Sequence, residues 1–111
     1  LCAHHLAPFW GVAHVGYIPC DRVVGLSKLA RLVDAYARRL QMQERITKQV
    51  TDALEEHLLP QGAACVLEGT HLCTCSRGVS KQGAVMVTSS LTGCFKQEAS
   101  ARAEFFRLIG K

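Results

Sequence analysis

Four short stretches of this 111-residue chain carry side chains that could do chemistry. Cys2 and His5 stand at Cys-x2-His spacing, with His4 beside them, so a thiolate and an imidazole could converge on one ion across a tight turn. A second group follows at His71-Leu-Cys73-Thr-Cys75-Ser-Arg77. Alternate side chains of a strand face the same way, so His71, Cys73, Cys75 and Arg77 are expected on one face. Burying an imidazole, thiols and a guanidinium together is expensive without a partner. Two zinc arrangements fit these residues. Cys2, His5, Cys73 and Cys75 would close a structural site, whereas Cys2, His5 and Cys73 alone would leave the fourth position to water, as catalytic sites do. Residue types do not choose between them.

The third stretch, Gly25-Leu-Ser27-Lys28-Leu-Ala-Arg31, places a hydroxyl and two cations at the start of an expected helix. Free N–H groups and the helix dipole favour anions there, and Lys28 and Arg31, three apart, point the same way. A solvated basic face is the plain alternative. The fourth stretch is Arg38-Arg39-Leu-Gln-Met-Gln43-Glu44-Arg45. Glu44 is either an ordinary first-turn residue of the next helix or an acceptor of two parallel hydrogen bonds, the pairing that selects guanine through its N1–H and 2-amino group.

The elements that must position these groups follow from hydrophobic periodicity. Residues 9–19 alternate loosely and end at Pro19, which predicts a strand. From Leu26 the period becomes helical, with Leu29, Leu32, Val33, Tyr36, Ala37 and Leu40 on one face. A second amphipathic helix carries Ile46, Val50, Ala53, Leu54 and Leu58 and ends at Leu59-Pro60-Gln-Gly62. Residues 63–75 read as β, 76–83 as a turn, 84–96 as another strand and 101–109 as a short closing helix. Strands with a helix pair between them predict an α+β domain, an antiparallel sheet with two helices on one face.

Composition narrows the function classes. The length is that of one domain with a single core. A 49% hydrophobic content argues against disorder. No apolar run approaches the roughly 20 residues that span a membrane, and no charged leader precedes an apolar core, so neither membrane nor signal peptide is expected. A chain that begins at Leu1, directly on a chemical motif, is expected to be part of a longer protein. The net charge of +4 is dispersed, with few aromatics nearby, which suits a small anionic ligand rather than nucleic acid. Six cysteines in a domain this rich in aliphatic residues read as buried thiols plus a few ligands in a reducing compartment.

Taken together, the stretches resemble GTP cyclohydrolase I. The resemblance rests on Cys2-x-His4-His5-Leu-x-Pro8-Phe9, Gly25-Leu-Ser-Lys-Leu-Ala-Arg31, Arg38-Arg-Leu-Gln-Met-Gln-Glu-Arg45, and Glu68-x-x-His71-x-Cys73 leading to Arg77-Gly78-Val79. Thr88-Ser89 and Gly93-x-Phe95 extend it over essentially the whole chain. It implies one catalytic domain over residues 1–111, without the family's N-terminal helical part. Cys2, His5 and Cys73 are implied as zinc ligands, with a water that zinc brings toward neutral pKa for attack on C8 of GTP. His4 would assist proton transfer, and His71 would protonate the ring nitrogen as the imidazole opens. Gln43 would help place the water, Glu44 would hold the guanine edge, and Ser27 would assist ribose opening. Lys28, Arg31 and Arg77 would bind the triphosphate. The products are formate and 7,8-dihydroneopterin triphosphate, at the first step of pterin biosynthesis. The implied fold is the tunnelling fold, whose sheets join into a barrel in a cytoplasmic homo-oligomer, typically a decamer with sites between subunits.

The chain departs from the family pattern at Ala3, where a glutamate is usual, at Ala84 and Met86, where serine and threonine are usual, and at Cys75, commonly a larger apolar residue. A second function therefore stands beside the enzyme: a diverged subunit of weak or no activity that keeps zinc and assembly. Ala3 favours it, whereas the joint retention of His4, His71 and Gln43 favours the enzyme.

Overall fold

The computed structural model describes residues 9–38, 42–71 and 85–111, with Phe9, Trp10 and His71 as backbone. Seven elements follow one another: β1 Phe9–Ile18, α1 Leu26–Ala37, α2 Gln43–Leu58, β2 Gly62–His71, β3 Met86–Leu91, α3 Cys94–Gln97 and α4 Ala99–Leu108. The three strands form one antiparallel sheet in the order β1-β2-β3. Phe9 lies opposite His71 and Ile18 opposite Gly62, while Gly69 faces Met86 and Ala64 faces Leu91. The α+β class expected from periodicity is the class observed.

The central strand carries the core on both faces. Ala63, Cys65 and Leu67 point to one side and pack with Ile46, Val50 and Leu54 of α2. Half-buried Leu29, Leu32, Val33, Tyr36 and Ala37 of α1 lie over the same cluster. Ala64 and Val66 point the other way, against Phe95 and Phe105, whose ring centroids are 5.6 Å apart. The α1–α2 pair therefore forms one layer, and the C-terminal helices cover part of the opposite face. Burial pushes the Cys65 thiol up to about 12, so it is a packing residue and not a nucleophile. Cys20, Cys65 and Cys94 are free thiols; Cys65 is buried as expected, whereas Cys94 is half-buried and Cys20 is exposed.

Both ends of the α2–β2 connection have physical causes. Leu59 takes φ 47° and caps α2 in the left-handed region, and Pro60 behind it cannot continue a helix. The expected strand over 84–96 is shorter. β3 ends at Leu91, and Cys94–Gln97 is a helical turn. Gly93 makes the change of direction, at φ 56° and with no room for a side chain, since a Cβ would meet the Gln61 carbonyl oxygen at 2.2 Å. The turn delivers Phe95 into the core, and this wins over the β-branched run before it. The closing helix begins at Ala99, two residues earlier than expected. The expected turn over 76–83 lies outside the described residues, as do the end of the 63–75 β run and Leu40. No described helix is long and apolar enough to cross a membrane.

Val50 is fully buried, so Val50→Ala removes two methyl groups from the heart of the α2–β2 contact. The expected loss is about 1.5–3 kcal/mol, to be read as a lower urea midpoint at unchanged slope.

Candidate functional site

Antiparallel pairing sets Phe9 against His71, so the described start of β1 and the described end of β2 lie at the same end of the sheet. The first turn of α2 arrives at that end too. Gln43 is 1% exposed, and its Nε2 donates to the carbonyl oxygens of Leu67 at 3.0 Å and Met86 at 2.9 Å. The same nitrogen lies 3.2 Å from the Thr88 hydroxyl oxygen. The opposed pair Gly11 and Gly69 puts no side chain on the sheet here, and a cavity of about 130 Å3 lies beside Gln43, Ala37 and Ile46. Small residues thus let an amide reach the sheet backbone.

Glu44 follows in the first turn of α2 and is exposed. It opens a groove of about 530 Å3 between α2 and β3, floored by the hydroxyl side chains of Thr88, Ser90 and Thr92 and flanked by Lys48 and Lys96.

The anion-binding candidates lie elsewhere. Ser27, Lys28 and Arg31 are all exposed at the beginning of α1, where Gly25 is the N-cap without a side-chain bond. The Tyr17 hydroxyl accepts from the Val24 backbone N–H at 2.9 Å, which ties the approach to α1 near the Ile18 end of β1. Ala37, at the other end of α1, lines the Gln43 cavity. Twelve residues of helix span about 18 Å. One chain therefore brings Gln43 and Glu44 to the His71 end of the sheet and leaves Ser27, Lys28 and Arg31 toward the opposite end.

The remaining candidates, Cys2, His4, His5, Cys73 and Arg77, lie outside the described residues, as does Cys75; of His71 the backbone position alone is described. Among the described residues no three His, Cys, Asp or Glu side chains gather as a metal site.

Two groupings were not anticipated from sequence. Glu68, part of the Glu-x-x-His motif, bonds His14 Nε2 at 3.0 Å and also pairs with Lys111 on the face away from α2. Register carries the signal, because His14 and Glu68 lie diagonally on neighbouring strands. The second grouping is a polar stripe on α2. Gln43, Thr47, Thr51 and Glu55 recur every four residues, and Gln43, Thr51 and Glu55 meet the hydroxyls of Thr88 and Ser90 on β3 and of Thr92 just after it.

Residues 1–110 match the family model described as GTP cyclohydrolase I, and the chain belongs to that family. Among relatives described as GTP cyclohydrolase 1, that of Methylococcus capsulatus is 57% identical over 111 residues, covering 100% of this chain and 60% of the relative. The relative in Gloeobacter violaceus is 57% identical over 98% of this chain and 51% of its own length. That of Dictyostelium discoideum is 54% identical over 98% of this chain and 47% of its own length. The chain thus spans about half to three fifths of the relatives it matches.

The Lys111 and His14 hydrogen bonds hold the Glu68 carboxyl below its ordinary value of 4.5, that of Lys111 contributing most. The unfolded chain then takes up this proton at higher pH than the folded one, so the stabilisation is present above pH 4.5 and lost as pH falls through the lowered value. The melting temperature is expected to fall on acidification below that point, and Glu68→Gln to flatten part of the fall. An equal slope in both proteins means the contacts do not favour the charged carboxylate.

Proposed function

We propose that residues 1–111 form one catalytic domain of a zinc-dependent GTP cyclohydrolase I, converting GTP to formate and 7,8-dihydroneopterin triphosphate at the first step of pterin biosynthesis. Family membership supports the reaction class. The observation that carries the reading for this chain is the common end of the sheet. Gln43 and Glu44 are held there beside the strand ends Phe9 and His71, to which the Cys-x2-His segment and Cys73 are covalently tethered. A chain advances at most about 3.6 Å per residue. Cys73, two residues on from His71, is thus within about 7 Å of it along the chain, and His5, four before Phe9, within about 14 Å.

Two thiols and an imidazole are a donor set suited to zinc with one position open. Bound there, zinc supplies Lewis acidity and a water of near-neutral pKa. The rest of the work belongs to the chain. Glu44 accepts hydrogen bonds from guanine N1–H and the 2-amino group and fixes the base. Gln43, whose amide nitrogen is engaged by the sheet, acts on the attacking water through its side-chain oxygen. His71 delivers a proton to the ring nitrogen as the imidazole opens, and His4 assists the transfer; imidazoles exchange protons near neutral pH. Lys28, Arg31 and Arg77 hold the triphosphate, and Ser27 assists ribose opening.

The separation of Ser27, Lys28 and Arg31 from Glu44 supports a substrate site completed by a neighbouring copy. So do the edges of the sheet. Among the described residues β1 and β3 each have one neighbour, and Val12, Met86 and Val87 on them are 40–55% exposed. Open edges of this kind are a liability unless paired. Joining sheets from several copies into a barrel, the tunnelling fold, pairs them, most simply as a five-fold ring stacked in a decamer. A cytoplasmic setting belongs to this reading, supported by the free thiols Cys20, Cys65 and Cys94.

Purified intact protein is expected to release formate from GTP and to hold one zinc per chain. Cys2→Ala and chelation should each remove both. A zinc–sulfur distance of about 2.3 Å to Cys75 would indicate the closed structural site instead. Absent formate release with zinc retained would favour the diverged subunit that Ala3 suggests. Glu44→Gln should weaken GTP binding by about 1.5–3 kcal/mol per charged hydrogen bond lost, and unchanged binding would reduce Glu44 to a helix-start residue. Light scattering at assay concentration should show a large homo-oligomer; an active monomer would exclude the shared site.

A further inference from the structure

The α2–β3 contact is unusual in being polar where it is most buried. Gln43, Thr47 and Thr51 are 1%, 2% and 0% exposed. Thr51 Oγ1 lies 2.7 Å from Ser90 Oγ, and the Thr92 hydroxyl donates to Glu55. The Gln43 amide closes the series at Thr88. From Thr51 to Glu55 the helix rises about 6 Å, and an extended chain from Ser90 to Thr92, one residue past β3, advances about 6.6 Å, so these two rungs stay in step. The longer Gln43 side chain spans the extra turn to Thr88. Thr47, between the rungs, turns its hydroxyl back to the Glu44 carbonyl oxygen at 2.8 Å.

Apolar contacts are non-directional, and the packing of Ile46, Val50 and Leu54 on β2 would tolerate small slides of α2 along the sheet. The polar seam would not. Each displaced rung leaves a buried donor or acceptor unsatisfied, which costs more than the bond itself contributes.

We propose that this seam sets the position of Glu44 in the groove, and that Thr88 is a positioning residue for base recognition. Gln43, whose Nε2 shares its two protons among the Leu67 and Met86 carbonyls and the Thr88 hydroxyl oxygen, fixes the residue before Glu44, and Thr47 fixes the Glu44 carbonyl. The inference rests on Glu44 reading the guanine edge.

The test is the ratio of kcat/KM for GTP over inosine triphosphate, which lacks the 2-amino group, measured on the intact protein. Thr88→Val keeps the shape and removes the acceptor; it should lower the ratio about two- to tenfold, the equivalent of one neutral hydrogen bond. Thr88→Ser should restore it. Val50→Ala, which loosens the apolar contact on the same helix, should lower the melting temperature and leave the ratio alone. An unchanged ratio in Thr88→Val, with Glu44→Gln abolishing discrimination, overturns the proposal and leaves the Glu44 reading intact. An unchanged ratio in Glu44→Gln overturns both. Equal losses of ratio in Thr88→Val and Val50→Ala at matched melting temperature reduce the seam to ordinary stability and also overturn it. Should Thr88→Val fail to fold, Thr51→Val breaks the neighbouring rung and decides on the same ratio, a fall supporting the proposal and no change overturning it.

Discussion

Burial of β2 on both faces is the constraint on which the rest of this structure depends. Ala63 through Leu67 are at most 8% exposed, so side chains of both parities need cover. An antiparallel sheet often leaves one face to water; here neither face of β2 can be left. The helix pair answers for Ala63, Cys65 and Leu67, and the Phe95–Phe105 cluster answers for Ala64 and Val66. The short side chains of β2 draw both layers close to the backbone. Gly62 is packed so tightly that a Cβ there would meet the Cys94 sulfur at 2.7 Å. The break of β3 at Gly93 is thus a consequence of covering the second face.

The two faces are held by different physics, and the difference reaches the candidate site. On the outer face the contact near Phe105 is apolar and gives way, toward the His71 end, to His14, Glu68 and Lys111. On the inner face apolar packing over β2 turns into hydrogen bonding over β3. A helix lying across a central and an edge strand meets two environments. The central strand offers side chains with no polar atoms, while the edge strand offers hydroxyls whose second side opens to a groove. Placing threonine, glutamine and glutamate along one line of α2 satisfies the second environment without weakening the first.

Periodicity made most elements legible from sequence. β1 and α1 begin where expected, and α2 stops at the expected Leu59-Pro60. The apolar stripe of α2 was legible as well. The polar stripe beside it was not, because threonine and glutamine at every fourth position look like a solvated face until β3 is placed against them. β3 was read too long for a related reason: alternation continues through Thr92, whose hydroxyl takes the Ala63 N–H at 3.0 Å in a ladder-like contact, and only the left-handed Gly93 ends it. For the site, Gln43 and Glu44 were legible as a polar pair between helices. The engagement of the Gln43 amide by two strands was not, since it requires Leu67 and Met86 to be neighbours across the sheet. The candidates at Cys2, His4, His5, Cys73 and Arg77 rest on spacing and on the family.

Distance along α1 gives the sequence order of the site its meaning. Ser27-Lys28 and Gln43-Glu44 are close in the chain, and a helix hairpin returning on itself could have brought them together. They are kept apart because each pair sits near the start of its helix, and antiparallel helices put their starts at opposite ends. On the proposed reading, an anion held at the start of α1 and a base held at the start of α2 of one chain would lie at opposite ends of a helix about 18 Å long, which suits one substrate lying between two copies of the chain. In that arrangement the edges of β1 and β3, each with one neighbour among the described residues, are more than a liability to be covered. Their pairing with neighbouring copies would bring one chain's α1 start toward another chain's α2 start, so that closing the sheet and completing the substrate site become the same event.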